Sequence, residues 1–181
     1  KLPLCVLFIG NESLDDNSAV ISDEGVDDLR CTNQTSDYSC NTLKFVMEQP
    51  IQKVSIVWMR GGHDNIYNNC TSDPTIHLNY VDQNIKIIGD KTPKPAKRFQ
   101  YFCPITLYQT RQNKLPQISF VNITFVNTVI SVAHCSLKFK NVKFISVELT
   151  DITEQSSNVA HITLTDVIWE QSTNCSGISQ V

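Results

Sequence analysis

The chain has 181 residues, seven cysteines and a formal net charge of -3. This length suffices for one domain with a core, and the mild charge excludes the overall basic footprint of a nucleic-acid or polybasic membrane binder. No run approaches the roughly 20 apolar residues of a bilayer span, and 34 Val plus Ile against 12 Leu and 4 Ala favour strand over helix.

Residues 1–19 open with an apolar, strand-like stretch that includes Leu4, Val6, Leu7, Phe8 and Ile9. They form an arm ahead of the main domain. The acidic stretch from Glu12 to Asp28 reads as a solvated linker, because its spacing does not match a calcium loop. Residues 41–49 predict a short helix with Leu43, Val46 and Met47 on one face, stopped by Pro50. Beyond Ile51 the texture is strand: Val54–Met59, Thr75–Tyr80, Ile85–Ile88 and Tyr101–Tyr108. The basic segment Thr92–Arg98, punctuated by Pro93 and Pro95, reads as a surface loop.

An internal repeat carries the fold prediction. Ile118–Phe125, Leu137–Phe144 and Ile162–Trp169 align without gaps at offsets of 19 and 25 residues. In each unit the apolar residues alternate, skip one position across Asn122, Asn141 or Asp166, and alternate again. Two short strands joined by a tight corner give that break, since the corner resets which side faces in. Asn and Asp tolerate the left-handed backbone such a corner needs. Stacked, the units place Phe120, Phe139 and Leu164 in one inner column and Ile123, Val142 and Val167 in a second. Phe125, Phe144 and Trp169 form a third. Ser119, Thr124, Lys138, Lys143, Thr163 and Ile168 face out. The predicted fold is all-β, a right-handed parallel β-helix (β-solenoid) with a short N-terminal capping helix. Its domains are an arm (1–19), a cap (20–50) and rungs (51–181), the rungs numbering about six in a rod of about 30 Å.

The run from Val20-Ile21-Ser22 through Asp27, Cys31 and Ser39-Cys40-Asn41-Thr42-Leu43-Lys44-Phe45-Val46 to Val54–Trp58 resembles the N-terminal cap of secreted right-handed parallel β-helix proteins, the pectin-lyase-like class. Asn84–Gly89 is similar to that class's early rungs, and Phe-x-Asn-Val-x-Phe to its later ones. The resemblance spans roughly residues 20–170 and is architectural, so it implies a fold rather than an activity. Enzymes of the class use paired aspartates, or calcium-binding carboxylates with a basic residue. Here no Arg follows Arg111, and Glu148, Asp151, Glu154, Asp166 and Glu170 show no such pairing in the sequence.

Cys31 and Cys40 are expected to close a loop in the cap, and Cys70 with Cys103 suits a bridge across rungs. That leaves Cys5, Cys175 and Cys135 for one further bridge and one free thiol, with Cys135 reading as a small buried hydrophobe. Five sequons, at Asn11, Asn33, Asn69, Asn122 and Asn174, join the cysteines in pointing to secretion and N-linked glycans. At Asn122 a corner ladder competes with a glycan, and the accessibility of the corner favours the glycan. His63, His77, His134 and His161 lack metal spacing, and no cofactor, metal, nucleic acid or membrane span is expected.

The functional expectation is a non-enzymatic, extracellular structural or adhesive glycoprotein. Its apolar arm docks on the uncapped last rung of a neighbour and builds a head-to-tail fibre. The alternatives are an N-terminal fragment of a larger cell-surface ectodomain and a polysaccharide lyase or hydrolase of the β-helix class.

Overall fold

The computed structural model describes residues 18–32, 38–49, 54–61, 65–79, 81, 83–89, 98–109, 116–152, 161–170 and the backbone of 174–176. Residues 1–17 of the expected arm, with Cys5 and Asn11, and Asn33, His63, Glu154 and the side chains of Asn174 and Cys175 lie outside the described residues.

Among the described residues sixteen strands, numbered in chain order, form three sheets. Sheet A holds β1 (Ser18–Ser22), β2 (Ile56–Arg60), β5 (Ile85–Gly89), β8 (Gln117–Val121), β11 (Ser136–Lys140) and β14 (Ile162–Thr165). Sheet B holds β3 (Ile66–Tyr67), β6 (Phe99–Tyr101), β9 (Ile123–Val126), β12 (Lys143–Ile145) and β15 (Ile168–Glu170). Sheet C holds β4 (Thr75–His77), β7 (Ile105–Tyr108), β10 (Val129–Ala133), β13 (Glu148–Asp151) and β16 (Asn174–Ser176). From β2 onward the chain visits A, B and C in that order five times. Each strand pairs in parallel with the one three positions later. This all-β, parallel arrangement is compatible with the β-helix expectation. The described residues hold five three-strand turns, and residues 18–22 add a sheet A strand before the chain leaves for the cap. Six sheet A strands at about 4.8 Å give a stack of about 24 Å.

Register follows the repeat. Ala19, Val57, Ile87, Phe120 and Phe139 stack inward in sheet A, all buried. Tyr67, Tyr101, Phe125 and Phe144 do the same in sheet B. Rings stack along the columns, Phe120 on Phe139 at 5.4 Å and Phe125 on Phe144 at 5.8 Å, and meet edge-on between them. Phe99, Ile123 and Val142 are buried beside the corner, and Ile105, Ile130 and Leu149 line the sheet C side.

Four expectations are corrected. Leu164 and Trp169 are in register with Phe139 and Phe144 yet are 45% and 40% exposed, because they sit on the last described turn with a neighbour on one side only. Thr124 is buried, flanked in register by the longer side chains of Gln100 and Lys143. Tyr101–Tyr108 is two strands, broken at Phe102–Pro104, where Pro104 has no N–H to continue a ladder. Finally, β1 starts at Ser18 and straddles the boundary placed after residue 19.

Candidate functional site

The two ends of the stack differ, and the difference begins with the cap. Thr42 accepts a hydrogen bond from Phe45 N (3.1 Å) and starts helix α1 (Leu43–Glu48), whose Leu43, Val46 and Met47 are buried as the spacing predicted. Ahead of the helix, Cys40 bridges to β1: its N–H donates to Val20 O (2.8 Å) and its carbonyl accepts from Ser22 N (2.9 Å). The outer edge of β1 is therefore covered by backbone. Gly25 makes this approach possible, since a Cβ there would lie 2.1 Å from Cys40 O.

Asp27 fastens the cap. Its carboxylate accepts from Asn41 N (2.8 Å), Thr42 N (2.9 Å) and Thr42 Oγ1 (2.6 Å). Reading the acidic stretch as solvated linker missed this role; the signal was the place of Asp27 in the cap-like run. Lys44 Nζ donates to the Thr75 carbonyl and reaches Glu48 and Asp73, while Glu48 accepts from His77 N (2.9 Å), so the helix is tied to β4. Hydrogen bonds from Thr75 N–H and Lys44 hold the exposed Asp73 carboxyl down at about 2.

Both expected bridges are present, Cys31–Cys40 in the cap and Cys70–Cys103 between successive turns. At the next turn, Thr128 Oγ1 donates to Cys103 O (2.6 Å) and continues the corner inside the protein. Cys135 is free and buried, and burial pushes its thiol up to about 12. Two disulfides point to an oxidising, non-cytosolic compartment. Among the described residues no helix is long and apolar enough to cross a membrane.

The corners carry the left-handed residues expected of them. Asn122, Asn141 and Asp166 have φ of 59°, 53° and 53° at the A-to-B corner. The next corners use Asn127 and Ser146 (48° and 53°) and His134 (56°), none of which the repeat marks as a corner. Asn141 Nδ2 donates to Asn122 Oδ1 at 2.7 Å. Asn122 thus takes the ladder role, and the bond engages its oxygen rather than the nitrogen a glycan would use. Replacing Asn141 with Ala removes that bond and puts a Cβ-bearing residue without a side-chain acceptor at positive φ. A loss of about 2 kcal/mol is expected. Asn141→Gly should lose only about 1 kcal/mol, and paired urea titrations check the difference.

Asn69 is placed differently from Asn122. Its Nδ2 donates to both Asn41 Oδ1 (2.5 Å) and Asp23 O (3.2 Å). A glycan on that nitrogen leaves it one N–H, so both bonds cannot persist. Glycopeptide mapping of the protein expressed through a glycosylating secretory host is expected to find Asn69 unmodified; high occupancy there would overturn this arrangement of the cap.

The far end has no such cover among the described residues. Leu164, Ile168 and Trp169 are exposed by 45%, 47% and 40%, with Trp169 only 4.7 Å from the buried Phe144 ring. Ile162 and Val167 are partly buried against the core. The candidate acids are dispersed: Glu148 is on sheet C, Asp166 at a corner, and Glu170 on sheet B bonded to Lys143 at 2.8 Å. No cluster of three or more metal-binding side chains occurs among the described residues. In comparisons with known proteins, no family model, curated protein or solved structure matched the chain.

Proposed function

We propose that the chain is a secreted right-handed parallel β-helix glycoprotein with a structural or adhesive, non-enzymatic role, and that its last turn is an assembly face. The observation that carries this reading is the asymmetry of the two ends. One edge of sheet A is closed by Cys40, whereas the last turn presents Leu164, Ile168 and Trp169 to solvent. An uncovered strand edge beside apolar side chains is a template for strand addition. The partner proposed is a second copy, through the apolar segment Leu4–Ile9 that precedes β1. The two disulfides and five sequons support the extracellular setting. The same exposed turn favours a second reading, in which further rungs of a longer cell-surface ectodomain cover it.

Electron microscopy and sedimentation of the glycosylated protein test this. Head-to-tail oligomers are expected for the chain, and monomers for both Trp169→Asp and a variant lacking residues 1–17, a deletion that spares β1. Monomers in all three samples would overturn the assembly reading, and a coding sequence continuing past Val181 would favour the ectodomain.

A further inference from the structure

Asn69 and Asn122, the two sequon asparagines with described side chains, differ in what their nitrogens do. N-linked glycosylation turns the side-chain amide into a secondary amide, so a modified nitrogen keeps one N–H and must face open space. Asn69 fails on both counts. Its Nδ2 uses both hydrogens, towards Asn41 Oδ1 and Asp23 O, and it borders a cleft of only about 20 Å³ beside the cap helix.

Asn122 is the opposite case, and its neighbours in register explain why. Asn141, one turn on, donates through Nδ2 to Asn122 Oδ1 at 2.7 Å. This bond fixes the amide with its oxygen towards Asn141 and its nitrogen turned away. One turn back, Ile88 is in register with Val121, so Gly89 lies opposite Asn122 and has no side chain to meet that nitrogen. Glycine is required there, because a Cβ would lie 2.6 Å from Asn122 O. The asparagine ladder therefore ends at Asn122 with a nitrogen to spare. Among the described residues no hydrogen bond engages Asn122 Nδ2, and the atom is not buried. The surface beside it opens into a trough of about 500 Å³, bordered on β8 by the short side chains of Ser119 and Val121.

The local sequence completes the site. Asn122-Ile123-Thr124 is an acceptor sequon, with Asn122 at a corner (φ 59°) and Ile123 and Thr124 buried on β9. We infer that Asn122 carries an N-linked oligosaccharide on Nδ2 while its Oδ1 keeps the bond from Asn141, so that one residue serves both ladder and glycan. The donor is an oligosaccharide carried on a lipid diphosphate. A bond forms from Nδ2 to the anomeric carbon, the anomeric C–O bond to the diphosphate breaks, and the amide gives up one proton as the lipid diphosphate departs. Nothing is oxidised or reduced. The inference rests on the secretory setting proposed above. It does not rest on the assembly face, because the glycan leaves the stack at the corner that Asn141 and then Asp166 continue towards the last described turn.

The test is a glycopeptide map of the full chain secreted from a glycosylating host. Glycans are released by an amidase in heavy-oxygen water, which turns each modified Asn into labelled Asp. Asn122 is expected to be labelled in most molecules. Thr124→Val should abolish the label there and Thr124→Ser should retain it, with thermal melting to verify that both variants fold. The ladder is tested by adding Asn141→Ala to the glycosylated chain and to Thr124→Val, where the urea midpoint should fall by the same amount. A fall confined to the Thr124→Val background would overturn the double role. Label at other sequons with none at Asn122 would overturn this inference alone. No label at any sequon would overturn it together with the glycoprotein reading.

Discussion

Phe139→Ala is expected to cost about 3–5 kcal/mol, a large share of the about 5–15 kcal/mol by which an ordinary domain is stable. The ring is fully buried, stacks on Phe120 at 5.4 Å and meets Phe144 at 5.1 Å and Phe125 at 6.2 Å. Removing it leaves a cavity between two turns whose backbones are tied by parallel pairing on both sides, so the site cannot collapse readily. The informative comparison is Leu164→Ala, one strand further along the same column. Leu164 is 45% exposed, so its truncation should cost about 1 kcal/mol or less. Urea titrations of both variants measure the ratio. Equal losses would mean that the last turn is as well covered as the one before it, which would remove the basis for an assembly face there.

That contrast marks what a sequence pattern can and cannot convey. The repeat Ile118–Phe125, Leu137–Phe144 and Ile162–Trp169 made the register legible, because alternation and a corner residue are local properties that recur. The structure pairs these segments as aligned, with positive φ at Asn122, Asn141 and Asp166. Burial is not local. Leu164 and Trp169 satisfy the inward pattern, but whether they are covered depends on the next strand in space rather than on their own neighbours. Thr124 shows the converse, an outward hydroxyl buried between two longer side chains.

Strand ends were also hidden. β3 is only Ile66–Tyr67, too short to show a period, and the break at Phe102–Pro104 falls between apolar residues that continue the strand texture. Ser146 and His134 turn corners without the usual Asn or Gly, so composition gave no cue to them. Which exposed side chains share a face was hidden for another reason. Lys86 and Lys138 are 52 residues apart, and only parallel stacking places them two strands apart on one face.

Loss of the Cys70–Cys103 bridge is expected to cost about 3–4 kcal/mol, from the entropy a 33-residue separation removes from the unfolded chain. The bridge joins the segment after β3 to the corner between β6 and β7, so it fastens successive turns where sheet B is thinnest: β3 contributes only two residues. Inter-turn backbone bonds there run from Gln100 N to Asn65 O (2.9 Å) and from Phe102 N to Tyr67 O (3.2 Å), around a pairing of two residues. One turn later Thr128 holds the Cys103 carbonyl, and the sheet B strand there, β9, has four residues. The shorter Cys31–Cys40 loop should contribute about 2–3 kcal/mol by the same reasoning. Its loss should act first on the cap, because Cys40 is the residue that closes the edge of β1. Cys70→Ser/Cys103→Ser and Cys31→Ser/Cys40→Ser, compared by urea titration and by amide exchange, separate the two effects. The first is expected to destabilise the early turns together, and the second to expose the β1 amides while protection in β8 and β11 persists. Exchange that rises evenly over all turns in both variants would show that cap and stack unfold as one unit.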